Sequence, residues 1–536
     1  MTFLLRLTLI AAFILPGFAF AVVPPAVIEK LALGEGEDKI AAVAEVVTAA
    51  DPDGLVFLQA MMNGEVQVVA EKKQVLIVRD GKAVDAVSGA EVSPLPEGLE
   101  DVVLPNRVRG EIQSAMSALK LVSPDRKTRH TAAKSLLEGG VDAGMLTIIS
   151  KALEKESDAE IKSMLVLVQA QAQLKSSDVA VRLAAVKALG SSNSPSTKTL
   201  LIDLLQKNGD DFAEPDANVR AQAQISLEAV QSRLTWGDRA AQVFSGASLG
   251  SILLLAALGL AITYGLMGVI NMAHGELIMI GAYATYVVQN FFHQHLPDWF
   301  NWYPLLAVPA AFIASAVVGM ILERSVIRFL YGRPLETLLA TWGISLMLIQ
   351  LVRTVFGAQN VQVENPAWMS GGLEMFSGVV LPFSRIAIIG FSGVVLLLVW
   401  LALTRTRLGL FVRGVTQNRA IASCMGINTA RIDTWCFGLG SGIAGLAGCA
   451  LSQIGNVGPD LGQSYIVDSF MVVVLGGVGQ LAGTVYAALG LGVVNKILEG
   501  WAGAVIAKII VLVFIIVFIQ KRPQGLFALK GRFADA

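Results

Sequence analysis

At 536 residues, 54% hydrophobic and only 15% charged, with a mean hydropathy of +0.63, the chain is too apolar for a water-soluble assembly of its size and reads as a membrane protein. Its formal net charge of −1 gives no bulk attraction to nucleic acid, which is excluded as a partner on that ground. Three cysteines without a C-x-x-C pair, and four histidines scattered as His130, His274, His293 and His295, make no zinc-type ligand set, so no metal is expected.

In chain order, residues 1–21 place Arg6 ahead of an apolar stretch and end in Ala19-Phe20-Ala21, which predicts a signal peptide cleaved after Ala21 or retained as an anchor. Either way the next segment leaves the cytoplasm. Residues 22–237 read as an exported soluble domain, mostly helical, with a hairpin over residues 66–87 that turns at Asp80-Gly81. Within it DVAVRLAAVKALG (178–190) is echoed by DANVRAQAQISLE (216–228) at an offset of 38 residues, and more faintly by SPDRKTRHTAAKSLLEGG. These resemble HEAT-type repeats, whose helices stack because each alone cannot bury its apolar stripe. A docking surface and a bare spacer are both open to such a domain.

Residues 238–536 read as a transmembrane domain. No charged residue occurs from 240 to 273; as one helix this run is about 51 Å at ~1.5 Å per residue, against a hydrocarbon core of about 30 Å. It must tilt, overshoot or break, and Gly265, Gly268 and Asn271 mark the expected break. Further apolar stretches near 277–291, 304–322, 336–352, 386–404, 432–453, 469–495 and 502–520 bring the expectation to about eight or nine spans. Three basic clusters, at 324–333, 405–431 and 521–532, are assigned to the cytoplasm, and the aromatic loop 293–304 and the connection 355–384 to the outside. The basic tail reaches the cytoplasm only if 469–495 crosses twice or re-enters, for which its run LGGVGQLAG is suited. The fold expected is therefore all-α: a polytopic helical bundle preceded by the exported domain.

Asn271, His274 and Glu276 are polar groups near membrane depth, where a charge costs about 2.5 to 3.5 kcal/mol on insertion scales, so they turn from lipid. They line a substrate path or cap a helix end. Tyr264, Thr341 and Trp342 are candidates of the same kind, and Gly476, Gly477, Gly479 and Gly483 permit close backbone approach beside such a path or simple helix packing. Lys508, a third of the way into the last span, is expected to snorkel outward. No G-x-x-x-x-G-K-[ST] run occurs, so the chain has no P-loop of its own and any ATP is bound by partner subunits. With no nucleophile, base and orienter at a workable spacing, the chain does not read as an enzyme. Residues 406–431, too polar to span and too long for a simple turn, are the candidate grip for an ATPase.

The stretches YGLMGVINMAHGELIMIGAY (264–283), VRGVTQNRAIASCMGIN (412–428) and VVVLGGVGQLAG (472–483) resemble those of permeases in the branched-chain amino acid ABC importer family. Within it, the closing RPQGLFALKGR, DSFMVVVLGGVGQLAG and the long exported extension are similar to the urea importer permeases. The resemblance implies a second homologous permease subunit, two cytoplasmic ATPase subunits, a periplasmic solute-binding protein, a bacterial inner-membrane location and a small neutral polar solute. It also implies ATPase coupling through Arg413, Gln417, Asn418 and Gly426, the last at the loop glycine of the EAA-type motif; Ala420-Ile421-Ala422 replaces a Glu-Ala-Ala there. Uptake of branched-chain amino acids or short amides, and a passive solute channel, are the alternatives.

Overall fold

The structure is a computed structural model that describes residues 24–527 apart from 50–51, 70–72, 80, 97, 140, 142, 209–210 and 375–378. The predicted leader lies outside the described residues. The chain divides into two compact units, Met1–Thr235 and Trp236–Ala536.

The first unit opens with helices α1 (Pro25–Leu33), α2 (Gly36–Ala49) and α3 (Pro52–Met62). A five-stranded antiparallel sheet follows: β1 (Val66–Val69), β2 (Gln74–Arg79), β3 (Lys82–Asp85), β4 (Glu91–Val92) and β5 (Glu100–Asp101), in spatial order β4-β3-β2-β1-β5. Arg79 sits opposite Lys82, so the expected hairpin is the centre of a larger sheet. Strands of two residues carry too little periodicity to be seen in sequence, which is why β4 and β5 were not expected. Helices α4 (Asn106–Lys120), α5 (Arg126–Gly139), α6 (Leu146–Lys155), α7 (Ala159–Gln173), α8 (Val179–Leu189) and α9 (Pro195–Leu205) complete the unit with the two-residue strands β6 (Lys207–Asn208) and β7 (Asp211–Phe212).

One local construction recurs. At the start of α8, Asp178 Oδ1 accepts from Ala180 N at 2.9 Å. Four residues on, Arg182 Nη1 donates back to Ser176 O and Ser177 O, while its other edge donates to Glu214 at 3.0 and 2.8 Å. Asp125, Arg129 and Glu156 repeat the arrangement at α5, and Asp216 and Arg220 repeat its capping half. The Asp-x-x-x-Arg spacing thus marks helix starts, the aspartate capping free amides and the arginine tying down the preceding carbonyls.

The second unit is helical: α10 (Ala217–Met267), α11 (His274–His295), α12 (Tyr303–Ser325), α13 (Pro334–Phe356), α14 (Phe383–Arg405), α15 (Arg407–Gln417), α16 (Arg419–Cys424), α17 (Thr429–Ser452), α18 (Leu461–Gly476), α19 (Leu481–Ala502) and α20 (Ala504–Lys521), with strands β8 (Gly372–Glu374) and β9 (Val380–Pro382) pairing before α14. The bounds of α10 begin upstream of the unit's first residue. Among the described residues seven helices are long and apolar enough to cross a membrane: α10, the stretch Pro297–Phe329 around α12, α13, α14, α17, α19 and α20. Eight or nine were expected. The two that fall short are α11, diluted by its histidines and other polar residues, and α18, which at 16 residues is about 24 Å long at ~1.5 Å per residue.

Helix α17 is the hub of this unit and is buried from Gly440 to Ser452. Its sequence GLGSGIAGLAG is dense in small residues, which lets neighbouring backbones approach without a hydrophobic driving force between helices. A Cβ on Gly440 would fall 2.7 Å from Gly259 O on α10, and one on Gly445 would fall 2.5 Å from Ala311 O on α12. Neither α10 nor α12 can pack at that distance against any larger residue.

Candidate translocation site

Helix α10 stops at Met267 and Gly268 turns the chain with φ +65°. Residues 268–273 then run back without helical structure to α11. The stop is reinforced from Gly265, where a Cβ would lie 2.7 Å from Gly479 Cα in the loop between α18 and α19. Inside a bilayer such non-helical backbone needs protein or water to satisfy it, and α13 supplies part of that: Thr341 Oγ1 accepts from Met272 N at 3.1 Å. Thr337, Thr341 and Ser345, each four residues from the next, are all buried and form a polar stripe along α13.

Asn271, His274 and Glu276 are buried at this junction. Asn271 Oδ1 accepts from Ala273 N at 3.0 Å, so one end of the amide caps the turn. His274 Nε2 lies 2.9 Å from Ala256 O on α10; a carbonyl only accepts, so this nitrogen carries the hydrogen and Nδ1 of the neutral ring is an acceptor. What remains is one donor, Asn271 Nδ2, and two acceptors, His274 Nδ1 and Glu276 Oε2, all buried and without a protein partner. Buried polar atoms are seldom left so, and three within six residues mark this junction as the candidate site.

The other candidates divide. Thr341 joins the junction. Trp342, expected beside the path, is 54% exposed and points about 100° away from Thr341 around α13. Tyr264 packs against Phe470 of α18 with ring centroids 5.9 Å apart. Gly476 and Gly483 bring the end of α18 and the start of α19 into backbone contact, and Gly477 and Gly479 turn the loop between them with φ +98° and +79°. Leu526 N donates to Leu475 O at 2.8 Å, so the segment after α20 closes over this turn. Lys508, expected to snorkel outward, reaches instead to Asp468 Oδ2 at 3.5 Å, a partner 40 residues away that sequence spacing does not reveal. A separate cavity of about 570 Å³, lined by Trp302, Leu305, Val308, Trp368, Phe391 and Gln453 among others, is nearly all apolar and unsuited to a small polar solute.

Residues 406–431 hold α15, α16 and the first residues of α17; α15 and α16 are separated at Asn418, whose side chain accepts from Ile421 N at 3.0 Å and caps α16. Gln417, Asn418 and Gly426 are exposed, and Gly426 has φ +85°, which only glycine adopts without strain. Arg413 is exposed but engaged, Nη1 donating to Leu403 O at 2.8 Å at the end of α14. The structure adds Ile421 and Met425, 60% and 78% exposed, as apolar knobs on the same segment. Sequence reading passed over both because apolar residues in a short helix are ordinarily buried. Among the described residues no group of three His, Cys, Asp or Glu side chains stands where it could hold a metal.

Residues 242–519, from midway along α10 to near the end of α20, match the family described as branched-chain amino acid transport system / permease component. The chain belongs to this family. Among relatives of the permease, the high-affinity branched-chain amino acid transport system permease protein LivH of Salmonella typhimurium is 29% identical over 298 residues, covering 53% of this chain and 94% of the relative. BraD of Pseudomonas aeruginosa is 28% identical over 291 residues, with 53% and 94% covered. The ribose import permease protein RbsC of Escherichia coli is 29% identical over 201 residues, covering 36% of this chain and 60% of the relative. No solved structure matches the permease. Its similarity is to transport permeases, not enzymes, and the family match lies within the second unit.

Proposed function

We propose that this permease is a subunit of an ATP-driven importer and that its path carries urea. The observation that carries the reading is the set of partnerless buried atoms on residues 271–276: one donor and two acceptors, without a fixed cation among them. Urea has two N–H₂ groups to donate and one carbonyl to accept, which is the complement of that set. The resemblance of the glycine loop at 475–483 and of the closing segment to urea importer permeases points the same way. Tyr264, Asn271, His274, Glu276 and Thr341 then line the path, with Gly476, Gly477, Gly479 and Gly483 allowing the α18–α19 loop to sit beside it.

The remaining parts of the importer are a second homologous permease, two cytoplasmic ATPases gripping residues 406–431 through Gln417, Asn418, Gly426 and the knobs Ile421 and Met425, and a periplasmic binding protein. Counting α10 to α14 and α17 to α20 as passes makes nine. That odd number takes a periplasmic first unit, exported by its signal peptide, to a cytoplasmic tail across the bacterial inner membrane, and leaves the arginine-rich loops inside as charge bias requires. The first unit, with its HEAT-like recurrence, is the surface that meets the binding protein. A second reading, uptake of branched-chain amino acids, is favoured by the names of the relatives.

Uptake of labelled urea and of labelled leucine in a strain carrying the complete importer, with and without its ATPases, separates these readings. Urea uptake that needs the ATPases is expected. Glu276→Gln, which turns an acceptor toward donor character, is expected to lower it about tenfold, the worth of one hydrogen bond, without loss of the assembled complex. Leucine uptake in place of urea moves the assignment to the second reading. Uptake that persists without the ATPases makes the permease a channel.

A further inference from the structure

The coupling segment and the translocation junction lie on different helices, and a chain of side-chain contacts runs from Arg419 to Met267 at the edge of the junction. Arg419, the first residue of α16, forms an ion pair with Asp433 on α17; its side chain is 46% exposed and that of Asp433 4%. The same guanidinium lies over the ring of Tyr331, 5.2 Å from its centroid. Tyr331 Oη is 3.1 Å from Glu323 Oε1, to which it donates, and 3.3 Å from Met267 Sδ. Burial and the Glu323 carboxylate push the Tyr331 phenol well above its usual range, so its proton stays in place for that bond. Glu323 Oε2 accepts from Thr434 Oγ1 at 2.7 Å. Met267 is the last residue of α10. It and Tyr331 pack against the apolar cluster of Val269, Ala273, Ile327 and Ile344, and Val269 and Ala273 flank Asn271.

We propose that Arg419, Asp433, Tyr331 and Glu323 are positioning residues that transmit movement of the coupling segment to residues 268–273. The claim rests on the importer reading above and names how its two ends communicate. One end of the set is at an exposed surface that an ATPase can push; the other touches the residue after which α10 stops. Asp433 pairs with the Arg419 guanidinium, and the second buried carboxylate, Glu323, is held beside them by Tyr331 and Thr434. Removing that cation leaves the two carboxylates repelling one another in a poorly solvated site, which frees α12, α17 and the Tyr331 ring to move independently of α16.

The test uses the complete importer in proteoliposomes, with ATP hydrolysis and solute uptake measured on the same preparation. Tyr331→Phe, which removes one hydroxyl and no charge and lies outside the gripped segment, is expected to keep hydrolysis within about twofold of the parent while uptake per ATP falls about tenfold, an ordinary coupling energy; Arg419→Ala is expected to lower uptake per ATP at least as far. Arg419→Asp combined with Asp433→Arg is expected to recover most of the loss. Unchanged uptake per ATP in both single variants overturns the proposal. So does a parallel fall of hydrolysis, uptake and assembled complex that the swapped pair fails to restore, because the residues are then structural only. If the unaltered importer shows no ATP-dependent uptake, it is the importer reading that fails, and that result is visible before any variant is made.

Discussion

The three partnerless atoms on residues 271–276 show how a polar residue at depth divides its work. Asn271 caps its own turn with Oδ1 and leaves Nδ2; His274 anchors α11 to α10 through Nε2 and leaves Nδ1. The capping role and the path-lining role proposed above thus fall to opposite ends of one side chain. In the first unit, Glu156 is a purely structural counterpart. Its carboxylate accepts from Arg129 and from the backbone amides of Ser157 and Asp158, and the Arg129 hydrogen bond holds its pKa below the ordinary carboxylate value. The unfolded chain therefore binds the proton first, so this stabilisation is present at neutral pH and is lost as pH falls through the folded pKa. Thermal melts of the full chain from pH 7 to pH 3 are expected to show an acid loss for the first unit that Glu156→Gln flattens, together with a lower melting temperature at pH 7. An acid limb unchanged in the variant would mean that the pair contributes nothing.

Among elements, α17 is decisive. Its glycines do not serve conformational freedom; they serve approach, and α10, α11 and α12 all close on the same helix because it presents almost no side-chain bulk. Gly445→Val is expected to cost about 1 to 3 kcal/mol by overpacking, more than the same change at Gly390 of α14, where a Cβ meets nothing within 4 Å. Unfolding midpoints of the two variants in detergent check this, and equal midpoints would show that the hub packing is slack. Helices α14 and α20 are opposite in character. They are apolar on all sides and little buried within the chain, as expected of helices that face lipid or a neighbouring subunit.

For the molecule as a whole, sidedness is the property from which function follows. Cys424 is the exposed cysteine and lies in the coupling segment, while Cys436 and Cys449 are buried, so the permease carries its own reporter. A membrane-impermeant maleimide is expected to label Cys424 in inverted vesicles and to spare it in cells with an intact inner membrane. Labelling from the outside would place residues 406–431 in the periplasm and end the importer reading.

Composition and periodicity by themselves determined that the chain spans a membrane, that its character changes near residue 238, that the uncharged run from 240 could not be one simple span, and that residues 406–431 are neither span nor turn. These are local properties, set by runs of solvation energy and by where glycine interrupts them. Tertiary structure alone decided which polar residues meet. Thr341 faces the junction and Trp342 does not, Lys508 finds Asp468, and Arg419 reaches Asp433 and Tyr331. Each of these partnerships joins residues separated along the chain, and a charge or hydrogen-bonding group is satisfied by whatever helix packing brings within a few ångströms, a proximity on which sequence spacing is silent.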